Sequence, residues 1–406
     1  MITLKEINYT ISLIKSGISG SNTEVPPKNL DWNTLYLLAF HQHIVSLINF
    51  SISKLPQDIK QNIPISAQLT AACKQSLYFD VNRQAEAGKL SKLFSDNQVD
   101  FVFLKGYVTK NLYPDTSLRF MSDTDILYRS DNSTNMESLM KTAGYELKKH
   151  TPKDDAYLNP TCGIYVELHR HLVDKGYETE YNFLDNIWDK LIKKDEHEYI
   201  MTDEDFYIYH IIHMSKHVRH SGLGLLHFID LWLYIREHQN MNIKYIENCL
   251  EELRLTSFEK YSRMLACRMF STDSNETISL ISDSKKYSED DEKILDSYFS
   301  YLLNSGSLGN ALQKEVNSIV SNQSTTNLKS DFALIRRIFP NKTTMVNYYG
   351  KKIEKHPWLI PFYWIYLNLS RLFSKDRSLK KKKKLLDNIS EKHIETTKYL
   401  MDNLFK

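Results

Sequence analysis

Two aspartates spaced one residue apart are the most chemically informative feature of this 406-residue chain. Asp123 and Asp125 lie in the segment MSDTDILY, whose composition predicts a strand. Side chains alternate between the two faces of a strand, so both carboxylates are expected on one face. Like charges held that close are unfavourable unless a cation lies between them. Because Mg²⁺ prefers oxygen ligands and leaves positions for phosphates and water, the pair predicts metal-assisted phosphoryl or nucleotidyl transfer.

The same spacing recurs at Asp203 and Asp205, but in a different context. These residues precede the helical pattern FYIYHIIHM. Aspartates are common where helices begin, because they accept hydrogen bonds from the first backbone N–H groups. We therefore interpret this second pair as a solvated acidic cluster at a helix N-terminus.

A third carboxylate lies in the segment GIYVELHRHL. Apolar residues alternate there with Tyr165, Glu167 and His169, which predicts a half-buried strand with Glu167 on its polar face. Two-metal sites, with ions about 3.5–4 Å apart, commonly need such an additional carboxylate. An ordinary exposed glutamate on an edge strand would give the same pattern, so the spacing leaves both interpretations open.

Two basic residues near the aspartates are candidates for binding phosphate. Lys105 follows the apolar strand FVFL and precedes Gly106, which allows backbone N–H groups to approach a phosphate closely. Arg119 lies four residues before Asp123, and its guanidinium could bridge β- and γ-phosphate oxygens. The alternative for both residues is a solvated surface cation.

A histidine-rich run, YHIIHMSKHVRHS, competes with the aspartates as a site of chemistry. His210, His213 and His217 share one face of a predicted helix. With Asp230 downstream they would suit a metal-dependent phosphohydrolase, since imidazole binds Zn, Fe or Ni. The alternative is that these histidines line a cleft or make hydrogen bonds in the core.

The order of these motifs resembles a known family. LKG at 104–106, then R-x-M-x-D-x-D from Arg119 to Asp125, then ELH at 167–169 is similar to the bacterial uncharacterised nucleotidyltransferases, a family of the polymerase-β-like superfamily. The resemblance spans residues 30 to about 310. It implies that Asp123, Asp125 and Glu167 are the catalytic carboxylates that hold the metal.

The resemblance also suggests roles for residues outside the strands. Lys105-Gly106 stands where the superfamily usually has a Gly-Ser loop. The family carries a similar histidine-rich helix followed by an aspartate, which implies that Lys216, His217 and Asp230 face the cleft and bind nucleotide or acceptor.

Hydrophobic periodicity predicts an α+β fold. Residues 1–96 have helical spacing, strands are predicted near 100–105, 123–128, 144–149 and 164–169 with a helix over 135–143, and helical spacing returns beyond Tyr181. We therefore predict an N-terminal helical region (1–96), a nucleotidyltransferase-like core with a small mixed sheet (97–200), a helical domain forming the other wall of the cleft (201–310), a polar connector (311–345) and an aromatic and basic C-terminal segment (346–406).

Composition points to an intracellular protein. Apolar residues make up 42% and charged residues 25%, and the net charge of +2 gives no strong nucleic-acid signal. The four cysteines form no CxxC pair, which is typical of a reducing compartment. The N-terminus lacks a signal-peptide pattern, and no run of about twenty apolar residues occurs. We expect a cytoplasmic location.

The C-terminal segment leaves open a peripheral contact with the inner face of the membrane. Residues 357–384 combine the aromatic stretch PWLIPFYWIY with the basic run Lys380–Lys384. An amphipathic helix beside a polybasic run can lie on an anionic membrane surface. A helix packed on the core, followed by a solvated charge run, is the alternative.

These observations predict a magnesium-dependent nucleotidyltransferase with two Mg²⁺ ions. It would transfer a nucleoside monophosphate from an NTP, with ATP as the first choice, to an unidentified acceptor hydroxyl or phosphate and release pyrophosphate. Two alternatives stay open. One is a binding protein that keeps the fold without turnover, and the other is a phosphohydrolase centred on the histidine-rich helix.

Overall fold

A seven-stranded mixed sheet lies between helical layers, which confirms the predicted α+β class. The computed structural model describes residues 3–129, 135–271, 287–306, 309–322, 345, 355–373 and 389–406. The strands are β1 Phe101–Phe103, β2 Thr124–Tyr128, β3 Glu146–His150, β4 Asp154–Asn159, β5 Ile164–His169, β6 Ile192–Lys193 and β7 Glu198–Ile200. Their order across the sheet is β3-β4-β5-β2-β1-β7-β6. The β2–β5 and β1–β7 pairs are parallel, and the other neighbours are antiparallel.

Four of the strands lie where the sequence predicts them, and three do not. β4 has the polar sequence DDAYLN, which carries no clear alternation, and it was not predicted. β6 and β7 fall in the stretch after Tyr181 that was interpreted as helical, and this interpretation was wrong for 192–200. Both strands are short and lie at one edge of the sheet, where period two is hard to detect over two or three residues.

Helices precede, interrupt and follow the sheet. The described helices are α1 Leu4–Ser19, α2 Trp32–His41, α3 Val45–Ser53, α4 Gln57–Lys60, α5 Ser66–Asp96, α6 Gly106–Thr109, α7 Met136–Thr142, α8 Glu178–Leu184, α9 Asp203–His220, α10 Leu225–Glu237, α11 Ile243–Glu252, α12 Thr256–Phe270, α13 Glu289–Ser305, α14 Ala311–Asn322, α15 Ile360–Phe373 and α16 Glu391–Leu404. Short 3₁₀ turns cover Lys110–Leu112, Thr116–Leu118, Ile187–Asp189 and Pro357–Leu359.

The two faces of the sheet belong to two hydrophobic cores. On one face, Ile126 of β2 and Val166 of β5 pack in a cluster with Phe94 of α5 and Met140 of α7. On the other face, Leu127 packs in the larger cluster that contains α9 and α10. Because Asp125 is two residues before Leu127, its side chain lies on the face that α9 and α10 approach.

Asp203 and Asp205 lie in the first turn of α9, as predicted for an acidic helix start. Thr202 is the N-cap, and its hydroxyl accepts a hydrogen bond from the backbone N–H of Asp205. Asp205 is not solvated as predicted: it is buried, and the Tyr245 hydroxyl donates to it at 2.7 Å. Burial is tolerated because the carboxylate keeps hydrogen-bond donors.

Part of the predicted connector is helical. α14 occupies 311–322 and packs against α16, while 323–344 lie outside the described residues. The basic run Lys380–Lys384 also lies outside them. Within the described ranges, no helix has the length and apolar character needed to cross a membrane.

Candidate metal centre

Parallel pairing of β2 with β5 brings two of the predicted carboxylates together. Asp125 and Glu167 are direct partners in the register, and Thr124 pairs with Val166 beside them. Paired residues on adjacent strands have their Cβ atoms roughly 4.5–5.5 Å apart and on the same face. The alternation along each strand therefore aims both carboxylates at the same space.

A histidine completes a compact group of ligand atoms. His169 Nε2 lies 2.7 Å from Asp125 Oδ1 and 3.7 Å from Glu167 Oε2. One ligand atom from each of Asp125, Glu167 and His169 falls within 4.8 Å of the other two. These three residues have the donor types and the spacing of a metal site.

Asp123 lies just outside this compact group. It is one residue before β2, half-buried, and the Ser122 hydroxyl donates to its Oδ1 at 2.9 Å. Burial, together with the nearby charge of Asp125, raises the pKa of the Asp123 carboxyl. Asp123 is thus near enough to join the same electrostatic cluster as Asp125.

The charges of this site fit a divalent cation. Burial and the charges of Asp125 and Asp123 raise the pKa of Glu167 to about 7. Three carboxylates against the one ammonium of Lys105 leave two negative charges when all are ionised. A divalent ion balances that charge and removes the repulsion that raises these pKa values. The residues therefore suit an oxygen-binding metal, on the chemistry of the donors alone.

Lys105 connects the β1–α6 turn to the carboxylates. Its Nζ lies 2.5 Å from Asp125 Oδ1. Although burial opposes the charged forms, this contact raises the pKa of Lys105 and lowers the pKa of Asp125. Lys105 adopts φ 48° and ψ −124°, a left-handed conformation that favours glycine and costs roughly 1–3 kcal/mol. The ion pair helps to hold the turn in this conformation.

Arg119 is held by a buried ion pair rather than being free for phosphate. Its Nη2 lies 2.6 Å from Asp230 Oδ2, its Nε donates to the same carboxylate at 3.3 Å, and its Nη1 donates to the Phe120 carbonyl. The Tyr113 hydroxyl donates to Asp230 Oδ1 at 2.8 Å. Asp230 is 1% exposed. The pair therefore joins the segment before β2 to helix α10, and the predicted phosphate and nucleotide roles of both residues stay predictions.

Gly106 makes room for this ion pair. A Cβ at Gly106 would lie 2.3 Å from Arg119 Nη1 and 2.8 Å from its Cζ. Those distances are shorter than any side chain tolerates, and Asp230 fixes the guanidinium in place. Glycine is thus needed at this position for close packing, in addition to any role in a phosphate loop.

A stripe of buried polar residues on α5 positions the segment 110–121. Asp80 contacts Lys110 Nζ at 3.1 Å and accepts a hydrogen bond from the Thr116 hydroxyl. Arg83 donates to the Met121 carbonyl at 2.9 Å. These contacts fix the backbone that leads directly into Asp123. They could not be predicted from the sequence, because the hydrophobic period of a helix does not show which distant residues the helix will contact.

The helix α9, which carries the histidine-rich run, lies within electrostatic range of the carboxylates. Burial and the positive charges of Lys105 and Lys216 lower the pKa of His217 to about 4, so its imidazole is neutral. Its ring centroid is 4.5 Å from that of His213 and 5.5 Å from that of His227. Lys216 lies 3.6 Å from Asp174, and burial together with the charge of Lys153 lowers its pKa to about 8. The cleft-facing roles predicted for Lys216 and His217 stay predictions.

The alternative metal site, centred on the histidine-rich helix, is not formed by the residues that the structure describes. Asp125, Glu167 and His169 are the one group of three or more ligating side chains found there with metal spacing. His210 approaches the backbone carbonyl of His227 at 3.4 Å, and Asp230 is engaged by Arg119 and Tyr113. The geometry thus favours the carboxylate cluster over the histidine-rich helix.

Comparison with known proteins assigns this arrangement to a family. A family model described as "Uncharacterised nucleotidyltransferase" matches residues 28–271, more than half of the chain. The chain belongs to this nucleotidyltransferase family. The match includes β1 to β7 and helices α9 and α10, and so contains every site residue described above. No curated protein and no solved structure matches the chain.

Two residues at this nucleotidyltransferase's carboxylate cluster were missed by sequence reasoning. His169 lies two residues after Glu167, so the period of the strand placed its side chain on the carboxylate face. That signal was present in the ELH motif but was not used. Asp154 was missed for a different reason, because β4 itself was not recognised.

Proposed function

We propose that this protein transfers a nucleoside monophosphate from an NTP to a hydroxyl or phosphate of an acceptor and releases pyrophosphate. The observation that carries the proposal is the buried cluster in which Asp125 and Glu167 face each other across two strands, with Asp123 beside them. Family membership supports nucleotidyl transfer in general. Dependence on Mg²⁺, with two ions, is our further proposal from the oxygen-rich donor set.

In this proposal, the carboxylates bind the metal, and the basic residues and His217 bind the substrates. Asp123, Asp125 and Glu167 would hold Mg²⁺, which supplies positive charge to the phosphates and to the developing pyrophosphate. Lys105 lies at the same carboxylates and would donate to a phosphate oxygen when the nucleotide arrives. Lys216 and His217 on α9 would orient nucleotide or acceptor from the opposite wall of the cleft.

The bonds change in one in-line displacement. The acceptor oxygen bonds to the α-phosphorus, and the bond from that phosphorus to the bridging oxygen of pyrophosphate breaks. The acceptor proton passes to a carboxylate of the cluster.

A transfer assay tests the proposal directly. The purified protein is incubated with Mg²⁺, each of the four NTPs labelled at the α-phosphate, starting with ATP, and a cell extract as the source of acceptor. We expect label to appear in one product with the wild type and to be lost with Asp123→Asn. Asp96→Asn changes an exposed aspartate of α5 in the same way and should label normally. Labelling by Asp123→Asn equal to wild type would contradict the proposal.

Nucleotide affinity separates Lys105 from the carboxylates. Lys105→Ala should weaken NTP binding in calorimetry more than Asp123→Asn does, because Lys105 is proposed to contact phosphate. Equal NTP affinity in wild type and Lys105→Ala would remove the phosphate role. A protein that binds NTP but transfers no label with any extract would instead match the binding-protein alternative.

We also propose that the protein works in the cytoplasm and rests on the inner face of the membrane through α15. Trp358, Phe362, Ile365 and Tyr366 are 60–66% exposed and share one helical face. The five lysines at 380–384 follow in sequence and would attract anionic lipid.

Vesicle sedimentation tests this location. Vesicles containing phosphatidylglycerol should carry the protein down, whereas phosphatidylcholine vesicles should not. Phe362→Ser with Ile365→Ser should abolish sedimentation. The matched control, Leu77→Ser with Val81→Ser, changes exposed apolar residues of α5 and should not affect it. Equal sedimentation of both double variants would contradict the proposal.

A further inference from the structure

His169 lies at the centre of the site and has no part in the chemistry proposed above. It is the last residue of β5 and is 1% exposed. Its side chain shares a face with Glu167, two residues earlier, and lies between the β2 carboxylate of Asp125 and the β4 carboxylate of Asp154. Burying a polar imidazole costs free energy unless its nitrogens have partners, so the surroundings of both nitrogens indicate its role.

The two ring nitrogens face different surroundings. Nε2 points into the carboxylate cluster, 2.7 Å from Asp125 Oδ1 and 3.7 Å from Glu167 Oε2. Nδ1 is buried, and among the described residues no group lies within hydrogen-bond distance of it. The nearest carboxylate oxygen is Asp154 Oδ2 at 3.7 Å.

Asp154 is itself held firmly. Its Oδ2 lies 2.6 Å from Lys153 Nζ, and its Oδ1 accepts a hydrogen bond from the Thr151 hydroxyl at 2.7 Å. The carboxylate is therefore fixed behind the imidazole, on the side away from Asp125 and Glu167. A shift of about 1 Å would bring Nδ1 and Oδ2 to the usual N–H···O distance.

The position of the ring proton distinguishes two arrangements. If Nε2 carries the proton and donates to Asp125, Nδ1 is a buried acceptor facing a carboxylate, and an unsatisfied buried group costs roughly 1–3 kcal/mol. If Nδ1 carries the proton, it faces Asp154 and Nε2 offers its lone pair to the cluster. The second arrangement matches the chain of carboxylate, histidine and metal in which a carboxylate orients a metal-binding imidazole.

We propose that His169 is a direct ligand of the metal centre through Nε2, together with Asp125 and Glu167, and that Asp154 orients it from behind. The inference rests on the proposed function for the presence of a divalent ion. One imidazole among carboxylates makes a mixed nitrogen and oxygen site, which binds Mn²⁺ more tightly than the harder Mg²⁺. At equal concentrations of the two ions, the centre therefore binds Mn²⁺ in preference to Mg²⁺.

Electron paramagnetic resonance of bound Mn²⁺ tests the ligand directly. Pulsed spectra of the wild-type protein should show coupling of the Mn²⁺ electron spin to a ¹⁴N nucleus, and this measurement needs no variant. His169→Asn should lose the coupling and weaken Mn²⁺ binding at least tenfold. The ratio of the Mn²⁺ affinity to the Mg²⁺ affinity should also be lower in this variant than in the wild type. Asp154→Asn should keep the coupling and weaken Mn²⁺ binding about 10- to 100-fold.

A second histidine provides the matched control. His150 lies 2.6 Å from Asp155 on the neighbouring strands β3 and β4, but it is largely exposed. His150→Asn should leave the coupling and the Mn²⁺ affinity unchanged. Retention of the nitrogen coupling in His169→Asn, or an absence of coupling in wild type, would overturn the inference, as would an absence of Mn²⁺ binding.

The outcomes separate this inference from the proposed function. Mn²⁺ binding without nitrogen coupling, but lost in Asp125→Asn, would leave the carboxylate centre intact and reject His169 as a ligand. Nitrogen coupling without transfer of label from any NTP would support His169 and reject the proposed reaction.

Discussion

Asp125 and Glu167 lie directly opposite each other on the parallel strands β2 and β5. Forty-two positions separate them in the chain, so the pairing of the strands, rather than local sequence, creates the charge cluster. Repulsion between them contributes to the pKa of about 7 at Glu167, where burial is the larger cause. The sheet thus places two carboxylates so close together that a bound cation would relieve the repulsion between them.

Removing either charge should stop the reaction while sparing the fold. Asp125→Asn and Glu167→Gln keep the shape of each side chain but remove a negative charge that a bound cation requires. We expect transfer of label to fall by about 10³-fold or more in each variant, by analogy with the loss of other essential groups. Circular dichroism should show unchanged secondary structure. Turnover within about tenfold of wild type in both variants would contradict a metal role for the pair.

The raised pKa of Glu167 predicts how stability changes with pH in the absence of metal. Between its ordinary value of 4.5 and about 7, the folded protein binds more protons than the unfolded chain. The free energy of unfolding therefore falls as pH rises through this window, and the contribution of Glu167 is most unfavourable above it. Glu167→Gln should be more stable than wild type in urea at pH 8 with EDTA, and equally stable at pH 4.

Two controls define this measurement. Glu146→Gln changes an exposed glutamate of β3 and should not alter the pH dependence. Adding Mg²⁺ should remove the deficit of the wild type at pH 8 but should not affect Glu167→Gln to the same extent. If the wild type is as stable as Glu167→Gln at pH 8 without metal, burial and the neighbouring charges do not raise the pKa of the Glu167 carboxyl.

Local patterns explain how much of the site could be predicted. Period two found β2 and β5, and the ordered motifs identified the family. Asp125 and Glu167 lie on the predicted strands, whereas Asp123 lies one residue before β2. The fold class followed from the same change of period. These features depend on residues close together in the chain.

Long-range pairing explains what could not be predicted. β4 begins with two buried aspartates, and the ion-pair partner of Asp155 is Arg170, which lies 15 positions later in the chain. A strand with such a polar start is hard to recognise from its sequence. Likewise, the buried ion pair between Asp230 and Arg119 joins residues 111 positions apart, and the nucleotide role predicted for Asp230 stays a prediction. Neither partner is visible in the local sequence, since ion pairs across a fold have no period.

The close approach of Arg119 to Gly106 predicts a sensitive position. Gly106→Ala places a methyl group 2.3 Å from Arg119 Nη1, so either the turn or the guanidinium must move. We expect a loss of about 1–3 kcal/mol in the free energy of unfolding, as for other overpacked sites. Gly88→Ala is the control, because nothing lies within 4 Å of its added methyl group and alanine favours helix by up to about 1 kcal/mol. Equal stability of the two variants would contradict the packing role of Gly106.

The ion pair between Arg119 and Asp230 predicts a variant that loses stability but keeps its metal. Asp230→Asn retains hydrogen-bond acceptance from Tyr113 but leaves the guanidinium of Arg119 buried without a counter-charge. Breaking a buried pair in this way costs about 3–5 kcal/mol, which urea unfolding will measure. Asp203→Asn removes the charge of an exposed aspartate on α9 that pairs with His238, and should cost no more than about 1 kcal/mol.

The Mn²⁺ affinity of Asp230→Asn then shows whether Asp230 supports the structure of the cleft or binds the metal itself. Asp230 is not in the cluster of Asp125, Glu167 and His169, so Asp230→Asn should bind Mn²⁺ as tightly as wild type at temperatures where it is folded. Transfer of label should still fall about a hundredfold, because the segment before Asp123 loses its anchor to α10 and small displacements in a site are costly. Adding Arg119→Gln to Asp230→Asn should recover part of the stability, since the unpaired charge is removed as well. Loss of Mn²⁺ binding in the folded Asp230→Asn variant would instead place Asp230 among the metal ligands.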